Sequence, residues 1–240
     1  MMSRHVLVFT ELRDQALRQV SFEALTAARE LSEGGEITAA VIGYDLPDVT
    51  AELAAYGASK VLYVAHEHLQ AFTADAFLQA WAHVIKASEP DVILAPHTAI
   101  GKDVSPRVAS RLGIGLITDC TAVELLDGRI VFTRPIYAGK AFMKKAFKDE
   151  MCVFATLRPN NISAEKASDA GQATAENVPV DIPAESLKTV VEEIVQKASS
   201  GVDLSEARIV VSGGRGVKSA DGFQPLQELA DVLGAAVGGP

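Results

Sequence analysis

The first 113 residues alternate regularly between short apolar runs and segments with helical spacing, and this constrains the fold more than any other feature. The apolar runs predict strands at 5–9, 36–43, 60–65 and 90–96. The segments around them predict helices at 19–35, 47–58, 71–88 and 101–113. Strands that alternate with helices form a parallel sheet with helices on both faces. We therefore predict a three-layer, doubly wound α/β domain, in which ligands bind outside the carboxyl ends of the strands.

Beyond about residue 116 the chain shows short apolar runs with no convincing helix between them. These runs predict antiparallel strands near 120–126, 129–134, 140–147 and 151–157. The pair Asp127-Gly128, between the first two runs, is a hairpin signal. Residues 160–177 are polar and contain glycine, and they predict a loop. The fold class is thus α/β, with a mostly parallel sheet and an added antiparallel strand region.

The stretch "RIVVSGGRGVKSADGFQPLQELADVLG" near the end of the chain has the order strand, glycine-rich turn, helix. Gly213, Gly214 and Gly216 let backbone N–H groups approach a phosphate, and the N-terminus of the helix adds a partial positive charge. The guanidinium of Arg215 can pair with that phosphate in a bidentate fork.

The spacing of this turn fits neither standard phosphate-binding motif. The motif GxGxxG requires glycine in place of Ser219, and a P-loop requires glycine in place of Val217. Spacing alone therefore leaves two interpretations open. One is a phosphate site that uses Arg215, and the other is a tight turn with a solvated arginine.

Isolated histidines and cysteines give weaker signals. His66 and His68 would share one face of an extended segment and could hold a metal, although a solvated loop is the commoner outcome. His97 follows a predicted strand, at the end of the sheet where ligand sites of α/β proteins form. A histidine that only packs in the loop is the commoner outcome at such a position. Cys120 and Cys152 stand in apolar contexts and predict buried thiols in a reducing compartment.

Charge and hydropathy narrow the classes of partner. The net charge of −9 and the pI near 5.1 argue against duplex nucleic acid. No apolar run reaches the roughly 18 residues that a membrane helix needs, and no signal peptide precedes the first strand. We therefore expect a cytoplasmic protein that is not embedded in a membrane.

Four stretches, in this order along the chain, form a recognisable set: "HTAIGKDVSPRVASRLGIGLITDC" (97–120), "RPIYAGKA" (134–141), "ATLRPN" (155–160) and "VVSGGRGVKSADGFQPLQELADVLGAAVG" (210–238). On these stretches the chain resembles the alpha subunits of the electron transfer flavoprotein family. With the alternating N-terminal region, the resemblance covers essentially the whole chain. The last stretch is the most specific of the four.

The resemblance implies a division into domains and a cofactor. Residues 1–198 would form an N-terminal α/β domain, 199–206 a linker, and 207–240 the start of a C-terminal FAD-binding domain. It favours a strand at 187–196, where apolar spacing alone fits a helix. The arginine of the family's SGGRG turn contacts FAD, and Arg215 matches it, flanked by Gly213, Gly214 and Gly216. The family usually has asparagine where this chain has Lys140.

The resemblance also implies a function and its partners. The chain would be an electron carrier rather than an enzyme, with no catalytic residue and no metal. It would pair with a beta subunit that binds AMP. The complex would take electrons from dehydrogenases, such as acyl-CoA dehydrogenases, and pass them to a membrane quinone oxidoreductase.

The end of the sequence departs from the family pattern. The family commonly continues after "AAVG" with Ala-Ser-Arg, whose arginine lies near the flavin ring, whereas this chain reads Gly239-Pro240. We therefore expect a fragment in which FAD is absent or weakly held, and a full-length protein that binds FAD.

Two other functions stay open at this point. One is a nucleotide-binding or docking α/β module without its own redox cofactor, with its ligand at the switch point of the sheet. Against it, residues 8–15 after the first strand contain no glycine. The other is a hydrolase or transferase that uses His97 or the cysteines, for which the sequence offers no catalytic motif.

Overall fold

The computed structural model describes residues 3–148, 152–194, 204, 207 and 209–239. It divides into two compact units, Met1–Glu192 and Glu193–Pro240.

Strands and helices alternate through the first half of the chain. In chain order the strands are β1 (Val6–Phe9), β2 (Leu12–Arg13), β3 (Ala16–Leu17), β4 (Ile37–Gly43), β5 (Lys60–Ala65), β6 (Val92–Pro96), β7 (Leu116–Cys120), β8 (Ala122–Leu126), β9 (Arg129–Ile136), β10 (Ala141–Lys145), β11 (Val153–Leu157), β12 (Thr174–Asn177), β13 (Val210–Ser212) and β14 (Ala236–Gly238). The helices are α1 (Gln19–Ser32), α2 (Thr50–Ala55), α3 (Ala74–Ser88), α4 (Ala99–Leu112) and α5 (Gln224–Leu233).

The first unit is built on a seven-stranded sheet with the order β12-β5-β4-β1-β6-β11-β7, and every pair in it is parallel. The chain first runs outward from β1 through β4 to β5. It then crosses to β6 on the other side of β1, so the direction of winding reverses beside β1. This is the doubly wound α/β architecture that the alternation of the first 113 residues predicts.

Side chains of successive residues on the central strand enter two separate cores. Val6 and Val8 lie in a core with α1 and α2, whereas Leu7 and Phe9 lie in a core with α3 and α4. The ring of Phe9 stacks on that of Trp81, with 3.9 Å between the centroids. A strand buried on both faces reads as a continuous apolar run, and the two cores give the three layers.

A three-stranded antiparallel sheet, with the order β10-β9-β8, follows the parallel strands. Its first turn is at Asp127 and Gly128, which have φ angles of 51° and 77°, as a two-residue hairpin requires. Val123, Ile130 and Phe132 on one face of this sheet join the core that contains α1. The hairpin signal in the sequence is therefore confirmed.

Two predictions between 151 and 177 are wrong. The run at 151–157 was expected to be antiparallel, but β11 lies in the main sheet, parallel to both β6 and β7. All five of its residues are buried, as in a central parallel strand, so its apolar run carried no information about direction. The polar segment 160–177 was expected to be a loop throughout. Its last four residues form β12, an exposed edge strand that pairs with β5.

The predicted strand at 187–196 is wrong over the residues that the structure describes. Residues 187–194 form no strand or helix, and residues 195–196 lie outside the described residues. The predicted linker at 199–206 also lies outside them, except for Leu204.

The second unit contains one strand–helix–strand motif. β13 and β14 pair in parallel, and α5 connects them. α5 has proline in its first turn and ends at Gly234, whose φ of 61° is left-handed. This is the order of strand, turn and helix that the glycine-rich stretch predicts.

Candidate functional site: the glycine-rich turn of the second unit

Residues 213–219, the first part of the turn that joins β13 to α5, are held by four backbone hydrogen bonds. Gly213 donates to the carbonyl of Gly238 on the neighbouring strand, over 3.0 Å. Val217 donates to Gly214 over 3.0 Å, Lys218 to Arg215 over 3.3 Å, and Ser219 to Val217 over 2.8 Å. The four predicted site residues, Gly213 to Gly216, therefore lie side by side in one defined turn.

The three glycines of the turn have different roles. A Cβ on Gly213 would lie 2.7 Å from Leu226 Cδ1 and 2.8 Å from Val217 Cγ2, so a larger residue there would have to displace these packed side chains. A Cβ on Gly214 or Gly216 would meet nothing within 4 Å, and neither residue has a left-handed φ. The fold therefore does not require glycine at 214 or 216. The backbone at these two positions is therefore open to close approach by a ligand.

The turn presents unsatisfied donors to solvent. The N–H groups of Gly214, Arg215 and Gly216 donate to no acceptor among the residues that the structure describes. The side chain of Arg215 is exposed and makes no hydrogen bond or ion pair within the same residues. Three successive free N–H groups beside a guanidinium are suited to bind an anion such as the pyrophosphate of a dinucleotide.

The first unit has a second polar cluster, at the carboxyl ends of β6, β7 and β11. Arg158 donates to Asp119 in a bidentate pair, Nε to Oδ1 at 2.8 Å and Nη2 to Oδ2 at 2.7 Å. The backbone N–H of Asp119 donates to Thr156 Oγ1 at 3.1 Å. His97 Nδ1 lies 2.9 Å from the same hydroxyl, and its Nε2 lies 3.6 Å from Asp119 Oδ1.

This network favours a neutral His97 with its proton on Nε2. Thr156 Oγ1 already accepts from Asp119, so its single proton can go to Nδ1 of His97. Burial is the main cause that lowers the pKa of His97, although the charge of Asp119 opposes it. The hydrogen bond from Arg158 is the main cause that lowers the pKa of Asp119. The cluster therefore ties three elements together with a neutral imidazole and an ionised carboxylate.

Sequence reasoning found His97 but missed Asp119 and Arg158. The two partners are separated by 39 residues, and they meet because β7 and β11 are neighbours in the sheet. Asp119 has a left-handed φ of 64°, which aspartate tolerates better than most residues. Only knowledge that β11 is parallel would have brought the two side chains together.

The switch point of the sheet, where β1 and β6 end side by side, is already filled. The Glu11 side chain, 5% exposed, accepts hydrogen bonds from the Thr98 hydroxyl and, at 2.8 Å, from Arg18 Nη1. The Arg18 guanidinium is thus already paired with a carboxylate and is not an open anion site, which disfavours the alternative of a nucleotide phosphate bound there.

The remaining cysteine and histidine candidates form no reactive centre among the described residues. Burial raises the pKa of Cys120 to about 12 and that of Cys152 to about 11, so both are thiols and not thiolates at neutral pH. His66 accepts a hydrogen bond from the backbone of His68 in a short helical turn. Among the described residues, no group of three or more His, Cys, Asp or Glu side chains is placed to hold a metal ion.

Within the described ranges, no helix has both the length and the apolar character needed to cross a membrane.

Comparison with known proteins covers both units. Residues 6–183 match the family model described as the electron transfer flavoprotein domain. Residues 203–240, which include the glycine-rich turn, match the model described as the electron transfer flavoprotein FAD-binding domain.

Three relatives illustrate the match. The chain is 48% identical over 237 residues to electron transfer flavoprotein subunit alpha of Bacillus subtilis (strain 168), covering 99% of this chain and 72% of the relative. It is 38% identical over 232 residues to the subunit of the same name in Syntrophomonas wolfei, covering 97% and 72%. It is also 30% identical over 266 residues to the acryloyl-CoA reductase electron transfer subunit beta of Anaerotignum propionicum, covering 98% and 72%.

Proposed function

The chain belongs to the electron transfer flavoprotein family, as an alpha subunit, and from this premise we propose that it carries electrons on FAD, whose pyrophosphate is held by the turn from Gly213 to Gly216. The observation that carries the proposal is a row of N–H groups at Gly214, Arg215 and Gly216, beside the Arg215 side chain, that have no partner within the described part of the chain. This row lies inside the segment that matches the FAD-binding domain.

The residues of the turn fit one part of the cofactor. FAD, when bound, supplies the redox chemistry through its flavin ring. The protein residues described above bind and orient its phosphates, because N–H groups and a guanidinium stabilise negative charge. Gly214 and Gly216 leave room for the phosphate oxygens to reach the backbone.

The partners in this proposal follow the family. An alpha subunit has a beta subunit as its partner, and the pair would take electrons from dehydrogenases such as acyl-CoA dehydrogenases. It would pass them to a membrane quinone oxidoreductase. The relative from Anaerotignum propionicum supports a CoA-linked partner, since its name assigns it to an acryloyl-CoA reductase. The free cysteines at 120 and 152 are in keeping with a reducing compartment such as the cytoplasm.

We further propose that the two domains divide as the family pattern suggests, at 1–198 and 207–240 with a linker at 199–206. Limited proteolysis followed by mass spectrometry would check this division. The first cleavages should fall within the linker and leave the first domain intact. Early cleavage inside 6–183 would contradict it.

The test of the function is the affinity of the alpha–beta complex for FAD, with the alpha subunit produced at the length that its gene encodes. Arg215→Gln removes a charge-assisted contact of about 1.5–3 kcal/mol, so the Kd for FAD should rise by roughly tenfold or more. Lys218→Gln removes a nearby charge outside the row of free N–H groups and should change the Kd far less. Equal affinities for wild type and Arg215→Gln would contradict the proposed phosphate site.

A further inference from the structure

The chain reverses sharply at residues 217–219, directly after the row of N–H groups. The N–H of Ser219 donates over 2.8 Å to the carbonyl of Val217, only two residues earlier. Lys218, between them, has a φ of 64° and a ψ of −39°. This is a γ-turn of the rarer kind, whose central residue has a positive φ and is strained. We call residues 217–219 the γ-turn.

Lysine is an unfavourable residue for the centre of the γ-turn. A positive φ brings the Cβ of any residue other than glycine too close to its own backbone. The nearby glycines at 213, 214 and 216 have no left-handed φ, whereas Lys218 has one. Strain of this kind persists only where the surrounding structure enforces it, and it clusters at functional sites.

Gly222 enforces the γ-turn by close packing. A Cβ on Gly222 would lie 2.2 Å from the carbonyl oxygen of Val217, which is the acceptor of the γ-turn. The N–H of Gly222 also donates to the carbonyl of Ser219 over 3.1 Å. Since Gly222 has no left-handed φ, glycine is needed there for close approach and not for its conformation. Its backbone therefore contacts both ends of the γ-turn.

The γ-turn sets the direction of the row of N–H groups. In a trans peptide the C=O and the N–H are coplanar and point in opposite directions. Val217 donates to the carbonyl of Gly214 over 3.0 Å, so the N–H of the same peptide, which belongs to Arg215, points away from the γ-turn. Lys218 donates to the carbonyl of Arg215 over 3.3 Å, which directs the N–H of Gly216 outward in the same way. Two of the three N–H groups in the row are therefore oriented from behind.

This arrangement uses the backbone of Lys218 and not its charge. The side chain is exposed, and it forms no hydrogen bond or ion pair within the part of the chain that the structure describes. The backbone supplies one N–H and a positive φ. Any residue that tolerates this φ would supply both.

We propose that Lys218 and Gly222 are positioning residues for FAD, which act through the γ-turn on the N–H groups of Arg215 and Gly216 without touching the cofactor. The inference rests on the proposed function, because that function assigns the row of N–H groups to the pyrophosphate. It adds that the affinity depends on two residues behind the row. At position 218 the affinity depends on backbone conformation and not on charge.

The experiment measures the Kd for FAD of the alpha–beta complex, with the alpha subunit at the length that its gene encodes, after the bound flavin has been removed. Gly222→Ala displaces the Val217 carbonyl, so the competent turn is populated less and the Kd should rise on the order of tenfold. Gly171→Ala is the matched control, because a Cβ there would meet no atom within 4 Å. It should leave the Kd within about twofold.

Three substitutions at position 218 separate conformation from charge, and they decide the matter even if Gly222→Ala fails to assemble. Lys218→Val places a β-branched side chain at a positive φ, which it tolerates poorly, and should raise the Kd on the order of tenfold. Lys218→Gly favours the positive φ and should leave the Kd at or below the wild-type value. Lys218→Gln removes the charge alone and should leave the Kd within about twofold.

A double-variant cycle distinguishes positioning from a general loss of stability. If the γ-turn acts through the direction of Arg215, the double variant Gly222→Ala/Arg215→Gln should raise the Kd much less than the product of the two single increases. The cycle of Lys218→Val with Arg215→Gln should behave in the same way. Increases that multiply would indicate a merely structural role and would overturn the inference.

The other outcomes separate this inference from the proposed function. Wild-type affinity in both Gly222→Ala and Lys218→Val, beside weakened binding by Arg215→Gln, would overturn the inference and leave the proposed function standing. Equal increases for all three substitutions at 218 would assign the effect to the lysine charge and also overturn it. A wild-type complex that binds no FAD would instead refute the proposed function.

Discussion

The two units of the molecule bury their apolar side chains to very different extents. In the first unit the sheet carries side chains into two cores, and Leu7, Phe9 and Phe154 are at most 1% exposed. In the second, Val232 is 84% exposed and Leu229 is 49% exposed, and the buried residues of its described part are Ala230, Ala235 and Ala236. The first unit is stabilised by its own core. The second presents the glycine-rich turn on a motif with almost no core of its own, as expected for so small a unit.

The glycines show the same difference. A Cβ on Gly101, at the start of α4, would lie 1.7 Å from the carbonyl oxygen of Pro96 at the end of β6, so this glycine is required by packing. A Cβ on Gly214 or Gly216 would meet no atom within 4 Å. Glycine serves the fold in the first unit, whereas at these two positions of the second it leaves the backbone open to a ligand.

The largest expected effect comes from truncating one apolar side chain in each unit. Phe154→Ala removes a fully buried ring from β11 and should lower the free energy of unfolding of the first unit by about 3–5 kcal/mol. Val232→Ala should change it by less than about 0.5 kcal/mol. Denaturant unfolding followed by Trp81 fluorescence measures this, because the single tryptophan lies in the core of the first unit. Similar losses for both variants would show that the two units do not differ in this way.

A smaller effect is expected from adding one methyl group to a glycine of each unit. Gly101→Ala forces α4 away from β6 and should cost about 1–3 kcal/mol in the same unfolding experiment. Gly216→Ala should leave that free energy unchanged, yet it should weaken FAD binding by the full-length complex because the new Cβ stands in the path of the ligand. If Gly101→Ala is as stable as wild type, the close contact between α4 and β6 is not the reason for glycine there.

The fold of the first unit could be predicted well from the sequence because each of its main strands forms an apolar run that is visible in the local sequence. The four strands predicted in the first 96 residues lie within one or two residues of their predicted bounds, whereas the short strands β2 and β3 were not predicted. β11 and β12 were predicted wrongly because direction and edge pairing depend on distant partners, and a five-residue apolar run is the same in either direction. Likewise Asp119 and Arg158 could not be paired before β7 and β11 were known to be neighbours.

Only part of the chemistry of the second unit could be predicted from the sequence. The order of strand, glycine turn and helix was visible in the sequence, and it placed Arg215 beside three glycines. Spacing could not distinguish the glycine that packs, Gly213, from the two that face open space. That distinction needs the positions of Leu226 and Val217, which the sequence does not give.

The smallest expected effect is a dependence on pH that belongs to the first unit alone. The folded state lowers the pKa of His97 through burial, so the unfolded chain binds the proton first as the pH falls. The contribution of His97 is therefore complete above about pH 6.5, the ordinary histidine value, and is lost below it. His97→Gln should flatten the fall in unfolding free energy between neutral and mildly acidic pH, measured by Trp81 fluorescence. An unchanged slope would show that the imidazole does not titrate differently on folding.

We infer that the turn from Gly213 to Gly216 holds FAD, whereas the first unit folds on its own core. The most direct measurement is the visible absorption spectrum of the alpha–beta complex, produced with the alpha subunit at the length that its gene encodes, beside its Arg215→Gln variant. We predict flavin bands in the wild-type complex, and reduced or absent bands in an Arg215→Gln complex whose Trp81-detected unfolding matches wild type. A wild-type complex without flavin, or a variant with undiminished flavin, would contradict the account.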